Sequence, residues 1–191
     1  MIARTAILRL ALGLLSLGLL LGGCATYQPR NTVFDESMTA PYRLDSGDKL
    51  RVTVFGQKEL SNTFAVDSSG YIAMPLIGGV AARNLTTQEL EAAIAGQLRT
   101  NYVRDPDVTV EVATYRPFFI MGEVKNAGQY PYVAGMTMQM AIAIAGGYSA
   151  RANKREVLVT RMFNGEVVHG TVPITFPLRP GDTLYIRERY F

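Results

Sequence analysis

Residues 44–52 read Leu44-Asp45-Ser46-Gly47-Asp48-Lys49-Leu50-Arg51-Val52, in which a Gly-Asp turn is followed by alternating polar and apolar side chains. The arrangement returns near the end of the chain as Leu178-Arg179-Pro180-Gly181-Asp182-Thr183-Leu184-Tyr185-Ile186. Alternation is typical of a half-buried strand, and Gly and Asp favour the tight turn before it. A shared ligand motif is the other interpretation, but turn chemistry favours a turn that starts a strand in both places.

The first turn lies in a unit that we place at residues 42–116. Apolar periodicity predicts its strands at residues 50–55, 64–67, 71–74 and 107–113. The second and third strands are predicted to pair as a hairpin around the turn at residues 67–70. Thr86 and Glu89 have the spacing of a capping box, which predicts a helix that ends near Asn101. The unit is therefore predicted to be a small α+β domain.

The second turn lies in a unit at residues 117–191, after the boundary that Pro117 marks. Its strands are predicted at residues 118–124, 129–133, 156–161, 166–168 and 183–187. A helix over residues 138–145 is predicted to end at Gly146-Gly147, where positive φ caps it, and Asn164-Gly165 is a strong hairpin signal. One helix across a mixed sheet suggests a β-grasp-like domain, so the fold class is α+β throughout.

The N-terminus predicts a lipoprotein signal peptide at residues 1–23. A basic segment precedes an uncharged apolar run that ends in Leu21-Gly22-Gly23-Cys24, which matches the bacterial lipoprotein cleavage box. Cys24 would carry a diacylglycerol group and an N-acyl lipid, and Ala25 mildly favours the outer membrane over the inner one. Residues 24–41 lack apolar periodicity and are interpreted as a lipidated tether. The alternative is an uncleaved transmembrane helix.

Composition excludes several classes of function. The net charge is +3, but Arg4 and Arg9 lie in the predicted signal peptide, and without that peptide the balance falls to +1, which disfavours nucleic-acid binding. Cys24 is the only cysteine and His169 the only histidine, so intramolecular disulfides and multi-histidine zinc sites are excluded. His169 is interpreted as a surface or edge histidine. We expect no enzymatic activity, no metal and no cofactor other than the lipid.

Several segments together resemble bacterial outer-membrane polysaccharide export (OPX) lipoproteins. The N-terminal domain of that family is similar to residues 42–50, 66–78, 85–91 and 102–108. Its SLBB domain, a soluble-ligand-binding β-grasp, is similar to the stretches at Gly122-Glu123-Val124, Gly128-Gln129-Tyr130 and Ala145-Gly146-Gly147. The two patterns occur in the family's order, behind a lipoprotein cleavage box.

The resemblance implies a periplasm-facing ring of identical subunits, anchored in the outer membrane, through which capsular or exopolysaccharide leaves the cell. It also implies an inner-membrane polysaccharide copolymerase as a partner. The best-known subfamily has a C-terminal pore helix, whereas this sequence stops directly after its last predicted strand. We therefore expect no pore from this chain alone, and a separate outer-membrane β-barrel to complete the channel.

Candidate glycan contacts are aromatic rings that stack on sugars and cations that attract anionic polymer. They are Tyr130, Tyr132, Tyr148, Arg151, Lys154 and Arg155. The competing interpretation is that the tyrosines are packing residues and the cations a solvated face.

Two other functions stay open. One is a lipid-anchored β-grasp module that binds a soluble glycan without forming a conduit. The other is an envelope enzyme that uses paired carboxylates, but its candidates lie where turns favour aspartate: Asp45, Asp48, Asp67, Asp105 and Asp107.

Overall fold

A computed structural model describes residues 32–189, so the predicted signal peptide, Cys24 and the first part of the predicted tether lie outside the described residues. The helices are α1 (Thr32–Thr39), α2 (Thr87–Asn101) and α3 (Met138–Ile144), with a short 3-10 helix at Lys58–Leu60. The strands are β1 (Lys49–Val54), β2 (Asn62–Ala65), β3 (Tyr71–Met74), β4 (Gly78–Ala81), β5 (Val108–Thr114), β6 (Phe118–Gly122), β7 (Gly128–Tyr130), β8 (Glu156–Phe163), β9 (Glu166–Pro173) and β10 (Thr183–Ile186). Among the described residues, no helix has the length and apolar content needed to cross a bilayer.

The N-terminal domain is an antiparallel sheet covered by one helix. The strand order is β2-β1-β5, and every second residue of β1 is buried, as the alternation predicted. The buried faces of β1 and α2 share one core, to which Leu50, Val52, Leu90, Ile94 and Leu98 belong. The capping box is confirmed, because the Glu89 N–H donates to the Thr86 hydroxyl and the Thr86 N–H donates to the Glu89 carboxylate.

The predicted hairpin of residues 64–67 and 71–74 is wrong in its pairing. The turn exists, since the Gly70 N–H donates to the Asp67 carbonyl, but β2 pairs with β1 while β3 pairs with β4. Residues 78–81 contain two glycines and little alternation, so no local pattern indicates that they form the partner strand of β3.

The C-terminal domain is a five-stranded mixed sheet in the order β7-β6-β10-β8-β9, with β6 and β10 parallel and the other neighbours antiparallel. The helix α3 contributes Met138, Ala141 and Ile142 to the core beneath the sheet. Gly146 and Gly147 after the helix both have positive φ, as do Asn164 and Gly165 between β8 and β9. The predicted α+β class and the β-grasp-like arrangement are confirmed, and His169 lies exposed on the edge strand β9.

The predicted tether is wrong for residues 32–40, because they fold onto the C-terminal domain. Phe34 and Ser37, three residues apart on one face of α1, are 4% and 0% exposed. The Phe34 ring packs over Gly170 of β9 so closely that a Cβ there would lie 2.5 Å from the ring. A helix of eight residues with two buried positions is too short to show apolar periodicity in the sequence.

Candidate functional site

The first Gly-Asp turn places a buried carboxylate against the linker between the domains, which is residues 115–117. Asp48 is 0% exposed, and its carboxylate accepts hydrogen bonds from the Tyr42 hydroxyl (2.6 Å) and the Asp45 N–H (3.0 Å). It also accepts two bonds from Arg116, one from the backbone N–H (2.9 Å) and one from Nη1 (3.0 Å). Burial raises the pKa of the Tyr42 hydroxyl well above its ordinary value, so this hydroxyl stays a donor.

The second Gly-Asp turn places its carboxylate against a different arginine. Asp182 is also 0% exposed, and it receives Arg161 Nε at 2.7 Å and Nη2 at 2.6 Å in a bidentate pair. The remaining nitrogen of Arg161 donates to the carbonyl of Ser37 at 3.0 Å, which attaches α1 to this pair. Arg179 adds a second attachment through the carbonyl of Met38, 3.0 Å from its Nη2.

The two turns meet at Arg116, in the linker. The Gly181 N–H donates to the carbonyl of Pro117 (3.1 Å), so the second turn binds the same linker as the first. A Cβ at Gly181 would lie 2.6 Å from Arg116 Nε, while a Cβ at Gly47 would lie 3.5 Å from Arg116 Cβ. We call this region the seam: Tyr42, Asp48, Arg116, Arg161, Arg179 and Asp182.

A cleft opens at the seam and is lined in part by Arg43, Arg116, Arg161 and Arg179. Each of these arginines donates to a carboxylate or a backbone carbonyl of the protein. Their charges and donors therefore stabilise the fold, and the seam has a structural role. The sequence indicated Asp48 and Asp182 through the repeated turn, but it gave no local signal for Arg116 and Arg161, which lie 68 and 21 residues from their partners.

The predicted tyrosine contacts make packing interactions. The Tyr130 ring stacks on Phe118 with centroids 5.8 Å apart, and its hydroxyl donates to the Asn126 carbonyl at 2.7 Å. Tyr132 packs edge-on against Tyr115 at 5.3 Å, next to the seam. The Tyr148 hydroxyl is buried without a hydrogen-bond partner, and Lys154 Nζ lies 5.9 Å from its ring centroid. Burial raises the pKa of the Tyr132 and Tyr148 hydroxyls.

The predicted cations lie together at one end of the C-terminal domain. Arg151, Lys154 and Arg155 are exposed, and Lys154 and Arg155 line an open recess with Ala152, Asn153 and Arg189. Arg151 pairs with Glu188 at 3.1 Å and, more distantly, with Glu123 at 3.8 Å. The sequence did not indicate Arg187 and Arg189, because they follow the last strand, whereas the other three cations lie just before β8.

Two of the carboxylates considered for an envelope enzyme, Asp45 and Asp67, make hydrogen bonds or ion pairs in turns. Asp45 pairs with Arg83 Nε at 3.0 Å, and Asp67 accepts the N–H groups of Ser69 and Tyr71. The hydrogen bond from Tyr71 is the main reason that the pKa of Asp67 lies below its ordinary value.

Two family models match the chain in tandem. Residues 36–113 match the model described as polysaccharide biosynthesis/export protein, and residues 116–186 match the SLBB domain. The chain belongs to the polysaccharide export family. The description of the family names polysaccharide export. The expected transport role agrees with that description.

Curated relatives are similar over parts of their length. The exopolysaccharide production protein ExoF of Rhizobium meliloti is 34% identical over 56% of this chain and 28% of its own. The EPS I polysaccharide export outer membrane protein EpsA of Ralstonia solanacearum is 27% identical over 88% of this chain and 54% of its own. The polysialic acid transport protein KpsD of Escherichia coli is 24% identical over 63% of this chain and 22% of its own. This chain therefore spans about a fifth to about half of these relatives.

Proposed function

We propose that this protein is a component of an exopolysaccharide or capsule export channel, anchored in the outer membrane through lipid on Cys24 and facing the periplasm. The observation that carries the proposal is the tandem of an export domain and an SLBB domain joined through the seam. Relatives named for polysaccharide export support it, and one of them is named an outer membrane protein. The proposed partners are the polysaccharide itself and an inner-membrane copolymerase, and no chemical step is assigned.

A conduit wall requires several copies, and exposed apolar side chains on both domains support a ring. On the outer face of the C-terminal sheet, Phe119, Met121 and Tyr185 are 40%, 45% and 44% exposed, and Tyr185 is in register with Met121. On the N-terminal domain, Phe55 and Leu76 are 81% and 59% exposed. Exposed apolar surface is typical of protein–protein contacts. Apolar surface on two different domains of one subunit suits the head-to-tail contact that closes a ring.

The export role is tested by the polysaccharide balance of a strain that lacks this protein. We expect polymer to fall at the cell surface and to accumulate in the periplasm. The intact gene and a Thr26→Ser variant should restore the surface polymer, and Cys24→Ser should fail, because it removes the lipidated thiol. Surface polymer that is unchanged in the deletion strain would contradict the export role.

The ring is tested by the particle mass of the full chain in an uncharged detergent. We expect a multi-subunit particle that Phe55→Glu makes smaller, since a charge in an apolar contact is unfavourable. Gln57→Glu adds the same charge at an exposed neighbour and should leave the mass unchanged. A monomeric wild type that binds oligosaccharide would instead support the anchored binding module.

A further inference from the structure

Five cationic side chains gather where two segments of the C-terminal domain meet. An isolated antiparallel bridge pairs Ala152 with Glu188. The Asn153 N–H donates to the Arg187 carbonyl, and the Arg189 N–H donates to the Arg151 carbonyl, both at 2.8 Å. The pairing joins the segment before β8 to the segment after β10. We call the result the basic recess: Arg151, Lys154, Arg155, Arg187 and Arg189.

The cations of the basic recess are largely unpaired. Arg151 uses both nearby carboxylates, Glu188 and Glu123. Across residues 32–189, no carboxylate oxygen lies within 4.0 Å of a cationic nitrogen of the other four. The arginines of the seam, in contrast, all donate to protein acceptors. Of these two regions, the basic recess is the one that keeps several charges available for a ligand.

The bridge also brings like charges together at a cost to stability. Because Ala152 is opposite Glu188, Arg151 is opposite Arg189, and like charges directly opposite each other on paired strands destabilise the pairing. Glu188 offsets part of this repulsion through Arg151. A polyanion bound in the recess would offset the rest.

Local hydrogen bonds fix the loop that carries three of these cations. The Ser149 hydroxyl bonds to the Glu123 carboxylate, and the Arg151 N–H lies 3.3 Å from that hydroxyl. The Arg155 N–H donates to the Asn153 side chain at 3.0 Å. A loop ordered before binding loses less entropy when it binds. Tyr148, with its hydroxyl buried and Lys154 over its ring, supports this loop.

We propose that the basic recess binds the acidic groups of an anionic polysaccharide, meaning a polymer whose sugars carry carboxylates. The proposal rests on the export function and adds the substrate class. Lys154, Arg155 and Arg189, which line the recess, provide the main contacts, because ammonium and guanidinium groups form charge-assisted hydrogen bonds with carboxylates. Arg151 and Arg187 flank them.

The test measures binding of fluorescent oligogalacturonate to the full chain in an uncharged detergent, with a neutral maltooligosaccharide of the same length as the comparison ligand. We expect binding of the acidic oligomer only, weakening steeply between about 50 and about 200 mM NaCl because the contacts are exposed charges. The triple variant Lys154→Gln/Arg155→Gln/Arg189→Gln should bind about tenfold more weakly, as the loss of three exposed charge contacts implies.

A matched variant distinguishes binding at the basic recess from a general effect of the protein's net charge. Lys58→Gln/Arg99→Gln/Arg104→Gln removes three exposed charges from the N-terminal domain and should bind within about twofold of the wild type. Equal weakening in both triples, or no preference for the acidic oligomer, would overturn the proposal. Binding to vesicles of phosphatidylglycerol but not to oligogalacturonate would also overturn it, in favour of a membrane surface. None of these outcomes alters the export test in the deletion strain, so the two proposals fail separately.

Discussion

The two Gly-Asp turns are nearly identical locally and differ in what their carboxylates hold. Gly47 and Gly181 have φ of 94° and 83°, and each aspartate accepts the N–H of the residue three positions earlier, at 3.0 Å for Asp48 and 2.9 Å for Asp182. Asp48 then holds Arg116, in the linker between the domains, whereas Asp182 holds Arg161, which attaches α1. Local chemistry thus fixes the turn, while the remaining acceptor positions of the carboxylate determine which distant segment is held.

The two ion pairs also differ in their access to water. The Arg161 side chain is 5% exposed and pairs with both oxygens of Asp182, while the Arg116 side chain is 16% exposed and reaches Asp48 through one guanidinium nitrogen. An arginine that loses its partner in a dry site keeps a charge that water cannot solvate. The second pair should therefore be the more costly one to break.

Asp182→Ala should lower the free energy of unfolding more than the other variants of the two turns. It leaves Arg161 buried without its partner and should lower the free energy of unfolding by about 3–5 kcal/mol. Urea denaturation of the full chain measures this. The double variant Asp182→Leu/Arg161→Met removes both charges and should recover most of the loss. A loss below about 1 kcal/mol for the single variant would show that the pair is not desolvated as described.

Asp48→Ala should cost less, about 2–3 kcal/mol, because Arg116 can turn toward solvent while the Tyr42 hydroxyl and two backbone N–H groups lose an acceptor. The two variants should also open different segments to limited proteolysis. Cleavage is expected near residues 115–117 in Asp48→Ala and near residues 32–41 in Asp182→Ala. The same cleavage pattern in both would contradict the separate roles of the two turns.

Substitution of the glycine in either turn should lower the free energy of unfolding by a smaller amount. Alanine at either position adopts an unfavourable positive φ, which costs about 1 kcal/mol. Gly181→Ala should cost about 1 kcal/mol more than Gly47→Ala, because only its Cβ collides with Arg116 Nε. Thermal or urea unfolding of the two variants gives this difference directly. Equal costs would mean that Arg116 moves away freely, and that the second turn does not position it.

The smallest effect is a pH dependence of stability at the first turn. Burial raises the pKa of Tyr42 in the folded chain, so above about pH 10 the unfolded chain ionises first and stability falls as pH rises. Tyr42→Phe should be about 1 kcal/mol less stable than the wild type at neutral pH, through the lost bond to Asp48. That gap should narrow above pH 10, and the exposed Tyr102→Phe should track the wild type throughout. A gap that stays constant with pH would contradict the buried hydroxyl.

Much of the fold was predictable because its signals are local. The alternation in β1, the capping box at Thr86 and the Asn164-Gly165 turn each act within a few residues. The pairing of β3 with β4 and the docking of α1 were missed, because β4 is rich in glycine and α1 has only two buried positions. The seam was missed for a related reason: its arginines are specified only by the three-dimensional approach of distant segments.

The candidate glycan contacts also differ in whether a local sequence pattern identifies their role. The tyrosines belong to packing that no local pattern reveals, such as the stacking of Tyr130 on Phe118. The cations of the 151–155 loop were recognisable from their spacing, and Arg187 and Arg189 joined them only through the bridge between Ala152 and Glu188.

We infer that Arg116, held by Asp48, joins the export and SLBB domains into one rigid unit. The most direct test is the distribution of distances between spin labels at exposed Lys58 and Glu166, one in each domain, in a Cys24→Ser chain diluted with unlabelled chain. We predict one narrow distribution that Asp48→Ala broadens, while Asp67→Ala, in a turn that does not contact the linker, leaves it narrow. A broad distribution in the parent chain, or no change in Asp48→Ala, would contradict the claim.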